Sequence, residues 1–187
     1  EAFLTRFPAL TLIGLDRDQT ALRLAGERLA PFGDRFRPVH TPYDGIDDAL
    51  IESGYRPGEL DGILFDLGVS SMQLDRAERG FSFRNDGPLD MRMSDDGMSA
   101  ADVIATADEK ELADILYYYG EEKAARHIAK MIVAARQEAP ITRTSQLAGI
   151  IRAAVGGKHG KTDPATKSFQ ALRIHINQEF DAIEHGL

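Results

Sequence analysis

The sequence contains no cysteine, and it has no apolar run long enough to cross a lipid bilayer. Without cysteine the chain can form neither disulfides nor thiolate metal sites, and nothing in it requires an oxidising compartment. A membrane-spanning helix needs about 20 consecutive apolar residues, and the sequence offers neither such a run nor a signal-peptide pattern. We therefore expect a cytoplasmic protein that does not associate with membranes.

Positive charge is also scarce. The formal net charge is −8, from 22 Lys and Arg residues against 30 Asp and Glu residues, which argues against nucleic-acid binding through overall positive charge. The charge is unevenly spread, because residues 1–120 hold 12 basic and 23 acidic residues, whereas residues 121–175 hold 10 and 4. Such a reversal indicates either an interaction surface or exposed helices with solvated cations.

The chain has 187 residues, of which 43% are hydrophobic and 28% charged, a composition typical of globular proteins. Strands are predicted at 10–15, 36–40 and 60–65, and Asp18 can cap the helix that follows the first strand. This βαβαβ alternation predicts a doubly wound parallel sheet. From about residue 100 the pattern is helical only, and the last predicted helix runs from Pro164 to Ile183. The chain therefore reads as a partial α/β domain with an all-helical insertion.

The most informative stretch runs from Leu60 to Met93. It begins with the apolar run Gly62–Phe65, typical of a strand buried on both faces of a parallel sheet, and this run ends on Asp66. A long segment rich in Arg, Asp, Gly and Phe follows, and a compact domain rarely keeps such a loop without a use for it. Open α/β sheets bind ligands at the carboxyl ends of their strands, so we expect Asp66 and Asp16 at a ligand site.

Three runs of sequence carry a family resemblance. They are DGILFDLGVSSMQLDRAERGFSFRNDGPLDMRM at 61–93, YGEE at 119–122 and PATKSFQALRI at 164–174. Together they resemble the RsmH (MraW) family, bacterial methyltransferases that use S-adenosylmethionine (SAM) to methylate a cytidine of small-subunit 16S ribosomal RNA on its exocyclic N4 amino group. The resemblance implies a Rossmann-like class I methyltransferase sheet, SAM as cofactor, and the small ribosomal subunit or its RNA as partner. The oligomeric state stays open.

The resemblance also implies a domain division. Residues 1–99 and 164–187 would form a partial SAM-binding domain, and residues 100–163 a helical insertion that faces RNA. The family's glycine-rich SAM loop and its later strands are absent from the sequence. We therefore expect the chain to be part of a longer protein and to be inactive by itself.

Four residues are predicted to serve the cofactor. Asp16 is expected to accept hydrogen bonds from both ribose hydroxyls; the alternative is a helix cap, for which Asp18 is available. The resemblance adds Tyr43, where the family usually has Phe, beside the adenine, and Gln73 as a polar contact. Asp66 is expected to bind the cofactor and to act in catalysis, by accepting a hydrogen bond from the cytosine amino group. Cofactor binding alone is the alternative for Asp66.

The candidate RNA-contacting residues are Arg79, Arg84, Arg92, Lys158, Lys161 and Lys167. The alternative for the arginines is internal ion pairing within the loop, and for the lysines a solvated face. Two other functions stay open, a small-molecule methyltransferase and a non-catalytic RNA- or ribosome-binding module. The five histidines show no metal-ligand spacing, so no metal is expected.

Overall fold

A computed structural model of the chain describes residues 1–56, 58–94, 96–156 and 162–186. The chain forms two compact units: a sheet unit, Glu1–Asp66 with Phe180–Leu187, and a helical unit, Leu67–Glu179. The division that the family resemblance implies lies at 99/100 and 163/164 instead. The loop after Asp66 belongs with the helices because its apolar side chains are buried in their core.

The sheet unit is built from short elements. They are helix α1 (Ala2–Arg6), strand β1 (Leu12–Asp16), helix α2 (Gln19–Leu29), strand β2 (Phe36–His40) and helix α3 (Ile46–Glu52), with 3₁₀ turns at Ala30–Arg35 and Tyr43–Gly45. The two strands pair in parallel and in register, with Asp16 opposite His40. The predicted cap of α2 is confirmed, because the Asp18 carboxylate accepts hydrogen bonds from backbone N–H groups of its first turn.

The prediction of a central strand at 60–65 was wrong. Gly62–Phe65 adopts no sheet structure, and the side chains of Ile63 and Leu64 are 59% and 80% exposed. Among the described residues, the sheet consists of β1 and β2, and no strand pairs with this run. An apolar run becomes a strand only when a neighbouring strand satisfies its backbone groups. Because no described strand pairs with this run, it forms no strand and its side chains are not buried.

The helical unit contains most of the buried apolar residues. Its helices are α4 (Ser71–Asp75), α5 (Ala100–Thr106), α6 (Glu109–Tyr118), α7 (Ala125–Glu138), α8 (Thr144–Val155) and α9 (Ala165–Ile176), with a 3₁₀ turn at Ala77–Arg79. The last helix, α10 (Glu179–Gly186), belongs to the sheet unit except for its first residue. The apolar stripes of α6 and α7 are buried at Leu112, Leu116, Ile128 and Ile132. No helix in the described part of the chain is long and apolar enough to cross a membrane.

The loop between α4 and α5 is packed although it has little regular structure. Leu89 and Met91 are at most 1% exposed and lie in the same core as the helices. A Cβ atom at Gly87 would overlap the carbonyl group of Ala77, so the two turns of the loop approach as closely as backbone allows. The path of the loop therefore depends on glycine at this position.

Hydrogen bonds tie the loop to the rest of the unit at alternate residues. The backbone N–H groups of Gly87, Leu89, Met91 and Met93 donate to Thr144 Oγ1 (3.0 Å), Thr142 O (2.8 Å), Arg79 O (3.1 Å) and Asn177 Oδ1 (2.8 Å), respectively. At one end of this run the Asp86 carboxylate pairs with Arg143 at 2.7 Å. This guanidinium is the main reason why the pKa of Asp86 falls to about 2.

The last predicted helix, Pro164 to Ile183, is in fact two helices, α9 and α10, separated by Asn177 and Gln178. Asn177 is 1% exposed, and Gln178 has a φ of +49°. The Asn177 side chain accepts a hydrogen bond from the N–H of Met93 and donates one to the carbonyl oxygen of Met91, both at 2.8 Å. The apolar stripe could not reveal this break, because the contact joins residues 84 positions apart.

We expect Asn177→Leu to lower the free energy of unfolding by about 2–4 kcal/mol, because it leaves two buried backbone groups without partners. Urea unfolding of the full-length protein followed by circular dichroism measures this. Gln170→Leu, at an exposed position of α9, is the matched control and should change stability by less than about 0.5 kcal/mol. Equal effects of the two variants would show that the Asn177 contacts are not stabilising.

Candidate functional site

The sheet unit contains a cavity of about 580 Å³. Residues 9–16, which include β1, form one wall, and residues 59–66 form another. Asp16, Tyr43 and Asp66, three of the residues predicted to serve the cofactor, all line this cavity. Its volume lies in the range of about 300–1,000 Å³ that holds small organic ligands. The cavity is therefore the candidate site.

Asp16 is a half-buried carboxylate at the end of β1. Burial raises the pKa of Asp16 above its usual value, and a hydrogen bond of 2.8 Å from the N–H of Asp18 to Asp16 Oδ1 acts in the opposite direction. A carboxylate that is partly shielded from water gains more from hydroxyl donors of a ligand than a fully solvated one does. Its position and electrostatics suit recognition of a diol.

Tyr43 is held in the cavity wall by its neighbours. Its hydroxyl donates a hydrogen bond of 3.3 Å to the carbonyl oxygen of Asp66. Its ring meets the ring of Phe65 edge-on, with 6.1 Å between the centroids. Phe65 was not among the predicted site residues, although its place immediately before Asp66 was the available signal. The side chain of Asp66 itself is exposed.

Gln73 lies in the helical unit and is 5% exposed. Its Oε1 atom accepts a hydrogen bond from the N–H of Ser70 at 3.0 Å, while Ser70 Oγ accepts one from the N–H of Gln73 at 3.2 Å. This reciprocal pair is a capping box at the start of α4. Gln73 thus has a structural role, and its contact with a cofactor stays a prediction.

The three loop arginines differ in their contacts: Arg79 and Arg92 bind groups within the loop, whereas Arg84 is exposed. Arg79 donates hydrogen bonds to the carbonyl oxygens of Arg92 and Met93, at 3.1 and 3.2 Å. Arg92 pairs with Asp90 at 2.8 Å. Both guanidinium groups therefore hold the loop in shape, and their contact with RNA stays a prediction. Arg84 is exposed, and its contact with RNA stays a prediction.

Lys167 also has a partner inside the protein, since its Nζ donates to the carbonyl oxygen of Glu121 at 3.1 Å. This bond joins two of the motifs that carry the resemblance. They meet closely, because a Cβ at Gly120 would lie 2.6 Å from the Lys167 carbonyl oxygen. Lys158 and Lys161, the other predicted lysines, lie outside the described residues.

A second cavity, of about 510 Å³, lies in the helical unit. Asp108, Glu111, Asp114 and Tyr118 line it together with His175, whose pKa burial lowers. Lys110 also lines the cavity and is paired with Asp114, so two of the three carboxylates are left to repel phosphate, beside a histidine that favours its neutral form. No group of three or more potential ligands in the described ranges is arranged to hold a metal ion.

A protein-family model places the chain among methylases. The model is described as the MraW methylase family, and it matches residues 1–187. The chain therefore belongs to the MraW methylase family, and the resemblance seen in its motifs is confirmed.

Curated relatives make the comparison more specific. The ribosomal RNA small subunit methyltransferase H of Mycobacterium avium (strain 104) is 54% identical over 191 residues, covering 100% of this chain and 50% of that protein. The protein of the same name from Mycolicibacterium smegmatis is 54% identical over 190 residues, with the same coverage. That from Clavibacter michiganensis is 53% identical over 189 residues, or 59% of its length. The chain spans about half the length of the curated relatives it matches.

We expect Asp16→Asn to stabilise the protein at pH 7, because it keeps the acceptor for Asp18 and removes a charge that burial disfavours. Since the folded-state pKa of Asp16 is raised, its protonated form contributes stability below the unfolded value of 3.8, and this is lost as pH rises through the folded pKa. The difference in melting temperature should therefore shrink towards pH 4.

Thermal melts of wild type and variant at pH 7 and pH 4 measure this difference. Asp48→Asn, at an exposed position of α3, controls for removal of one charge from the sheet unit. The burial of Asp16 would not explain the result if the difference in melting temperature did not depend on pH, or if the Asp16 variant were less stable than wild type at pH 7.

Proposed function

We propose that the full-length protein is a cytoplasmic, SAM-dependent methyltransferase that modifies the exocyclic N4 amino group of a cytidine in small-subunit 16S ribosomal RNA. In this proposal β1 and β2 belong to a Rossmann-like methyltransferase sheet. Support comes from membership of the MraW methylase family and from relatives named as small-subunit ribosomal RNA methyltransferases. The observation that carries the proposal is that Asp16, Tyr43 and Asp66 line the same cavity.

The residues of the cavity fit SAM. The volume of the cavity, about 580 Å³, suits a nucleoside-sized ligand. Asp16, with its carboxylate partly withdrawn from water, would accept hydrogen bonds from the ribose hydroxyls. Tyr43, fixed by Asp66 and Phe65, offers an aromatic ring for the adenine. When bound, SAM supplies an electrophilic methyl group on sulfur.

In this proposal Asp66 takes part in the transfer of the methyl group to the cytosine amino nitrogen. The lone pair of a cytosine amino nitrogen is delocalised into the ring, so the nitrogen is a weak nucleophile. A carboxylate that accepts a hydrogen bond from this amino group favours a more tetrahedral nitrogen and offsets the positive charge that develops on it. Transfer of the methyl group would form a carbon–nitrogen bond as the carbon–sulfur bond breaks, would leave the neutral thioether of S-adenosylhomocysteine, and would release one amino proton to water. Asp66 suits this role because it is exposed and lines the cavity.

Two competing functions can be separated by one set of measurements. Transfer of a labelled methyl group from SAM is followed with 16S ribosomal RNA, with small ribosomal subunits and with a pool of cell metabolites. Labelling of RNA in either form supports the proposal, whereas labelling of metabolites alone indicates a small-molecule methyltransferase. Stoichiometric RNA binding without any transfer would indicate a non-catalytic binding module.

We expect Asp16→Ala in the full-length protein to weaken SAM binding by about 1.5–3 kcal/mol, the range for hydrogen bonds to a charged group. Titration calorimetry measures the affinity. Asp48→Ala removes an exposed carboxylate from α3 of the same unit and should leave the affinity unchanged. An Asp16 variant that binds SAM as tightly as wild type would remove the ribose assignment.

For Asp66→Asn we expect methylation in a single turnover to fall by a larger factor than SAM affinity does. The variant keeps the shape of the side chain but removes the charge that would offset the developing positive charge on nitrogen. The rate is measured at saturating SAM and RNA, and the affinity by calorimetry. A wild-type rate under these conditions would confine Asp66 to cofactor binding.

A further inference from the structure

The cations of the helical unit differ in whether they have partners inside the protein. Residues 121–175 contain ten Lys and Arg residues. Five of them are engaged: Arg136 with the carbonyl oxygens of Ile104 and Ala107, Arg143 with Asp86, Arg152 with Asp163, Lys167 with the carbonyl oxygen of Glu121, and Arg173 with Glu179. Lys158 and Lys161 lie outside the described residues. The other three are Lys123, Arg126 and Lys130.

Two of these three residues are neighbours on the surface of α7, and Lys123 precedes Ala124, the N-cap residue of this helix. All are exposed, and none makes an ion pair or side-chain hydrogen bond within the described part of the chain. Arg126 and Lys130 lie one turn apart on α7, about 6 Å along its axis, on the side opposite the buried Ile128 and Ile132. We call these three residues the α7 cationic face.

The sign of the exposed charge reverses between α6 and α7. On α6 and at its start, Asp108, Glu111 and Asp114 surround the second cavity, and the nearby Lys110 is paired with Asp114 at 2.8 Å. The first turn of α7 contains no acidic residue, although the Glu122 carboxylate lies just before it and accepts a hydrogen bond of 2.9 Å from the N–H of Ala124. On the helix itself, the positive end of the dipole adds to the charge of Arg126. A phosphate backbone is therefore repelled at the first surface and attracted at the second.

Resting on the function proposed above, we infer that the α7 cationic face binds the phosphate backbone of the ribosomal RNA substrate. Cations already engaged with carboxylates or carbonyl groups would have to give up those partners to bind phosphate, whereas Lys123, Arg126 and Lys130 would exchange only water and counterions. Release of counterions from the RNA drives such binding, so it depends steeply on salt. These contacts position the RNA and do not read its bases.

The experiment uses the triple variant Lys123→Gln, Arg126→Gln, Lys130→Gln of the full-length protein and a 16S ribosomal RNA transcript. Binding is measured by filter retention between 50 and 200 mM KCl. Three lost phosphate contacts should lower the slope of log affinity against log salt by about 2–3. Wild type should consequently lose roughly 20- to 40-fold more affinity across this range than the variant does. SAM affinity should not change.

Two matched variants separate the face from net charge and from shape. Arg6→Gln, Arg23→Gln, Arg28→Gln removes three exposed positive charges from the sheet unit and should keep the wild-type slope. Lys123→Arg, Arg126→Lys, Lys130→Arg preserves every charge of the face and should keep both slope and affinity. Circular dichroism of all variants verifies their folding.

The inference is overturned if the triple Gln variant keeps the wild-type slope, or if the sheet-unit control loses as much slope as it does. RNA would then be held elsewhere, and Lys123, Arg126 and Lys130 would form a solvated face. Methylation of the same transcript and of small ribosomal subunits by wild type is measured separately. Absence of methylation on both would remove the proposed function, while the slopes would still decide whether this face binds RNA phosphates.

Discussion

The fold of the helical unit depends on one buried side chain, that of Asn177. Its amide is both donor and acceptor, and it satisfies the carbonyl of Met91 and the N–H of Met93 in a loop that has no strand or helix to satisfy them. The same residue ends α9 and precedes the turn into α10. A single side chain thus fixes the path of the loop and the place where the chain leaves the helices. Aspartate, which lacks the amide donor, could not do both.

The candidate site lies in the less densely packed unit. In the sheet unit the fully buried apolar residues are few, among them Leu4, Leu29 and Ala49, whereas the helical unit has a continuous core. The site also contains Asp16, a carboxylate whose burial is unfavourable in its charged form. A ligand that supplied hydroxyl donors and filled the cavity would therefore stabilise the sheet unit as well as occupy it.

What could be predicted from the sequence was local. Asp18 caps α2 through residues two and three positions away, and Asp16 ends β1, so both followed from spacing alone. The capping box of Ser70 and Gln73 was not predicted, although its S-x-x-Q spacing was an available signal. The predicted strand at 62–65 failed because its structure depends on a pairing partner rather than on its own composition.

The loop arginines illustrate the same limit. Arg79 and Arg92 are candidates for RNA contact on their charge alone, because a sequence does not show which groups bind a cation within the folded protein. Their partners, carbonyl groups for Arg79 and the Asp90 carboxylate for Arg92, became visible only once the loop was folded. Asp16 and the segment of Tyr43 follow parallel strands, whose carboxyl ends share one edge, so their meeting at one cavity was predictable. Asp66 lines the same cavity although the run before it is not a strand, so this rule does not explain its position.

The alternate hydrogen bonds of the loop at 87–93 have a consequence for its dynamics. A segment without helix or strand is usually assumed to open freely, to exchange its amide protons quickly and to be cut first by proteases. Here the N–H groups of Gly87, Leu89, Met91 and Met93 all donate to partners in the helical unit or the loop itself. Their protons can exchange only when the core around them opens, so this irregular segment should unfold cooperatively with the helices.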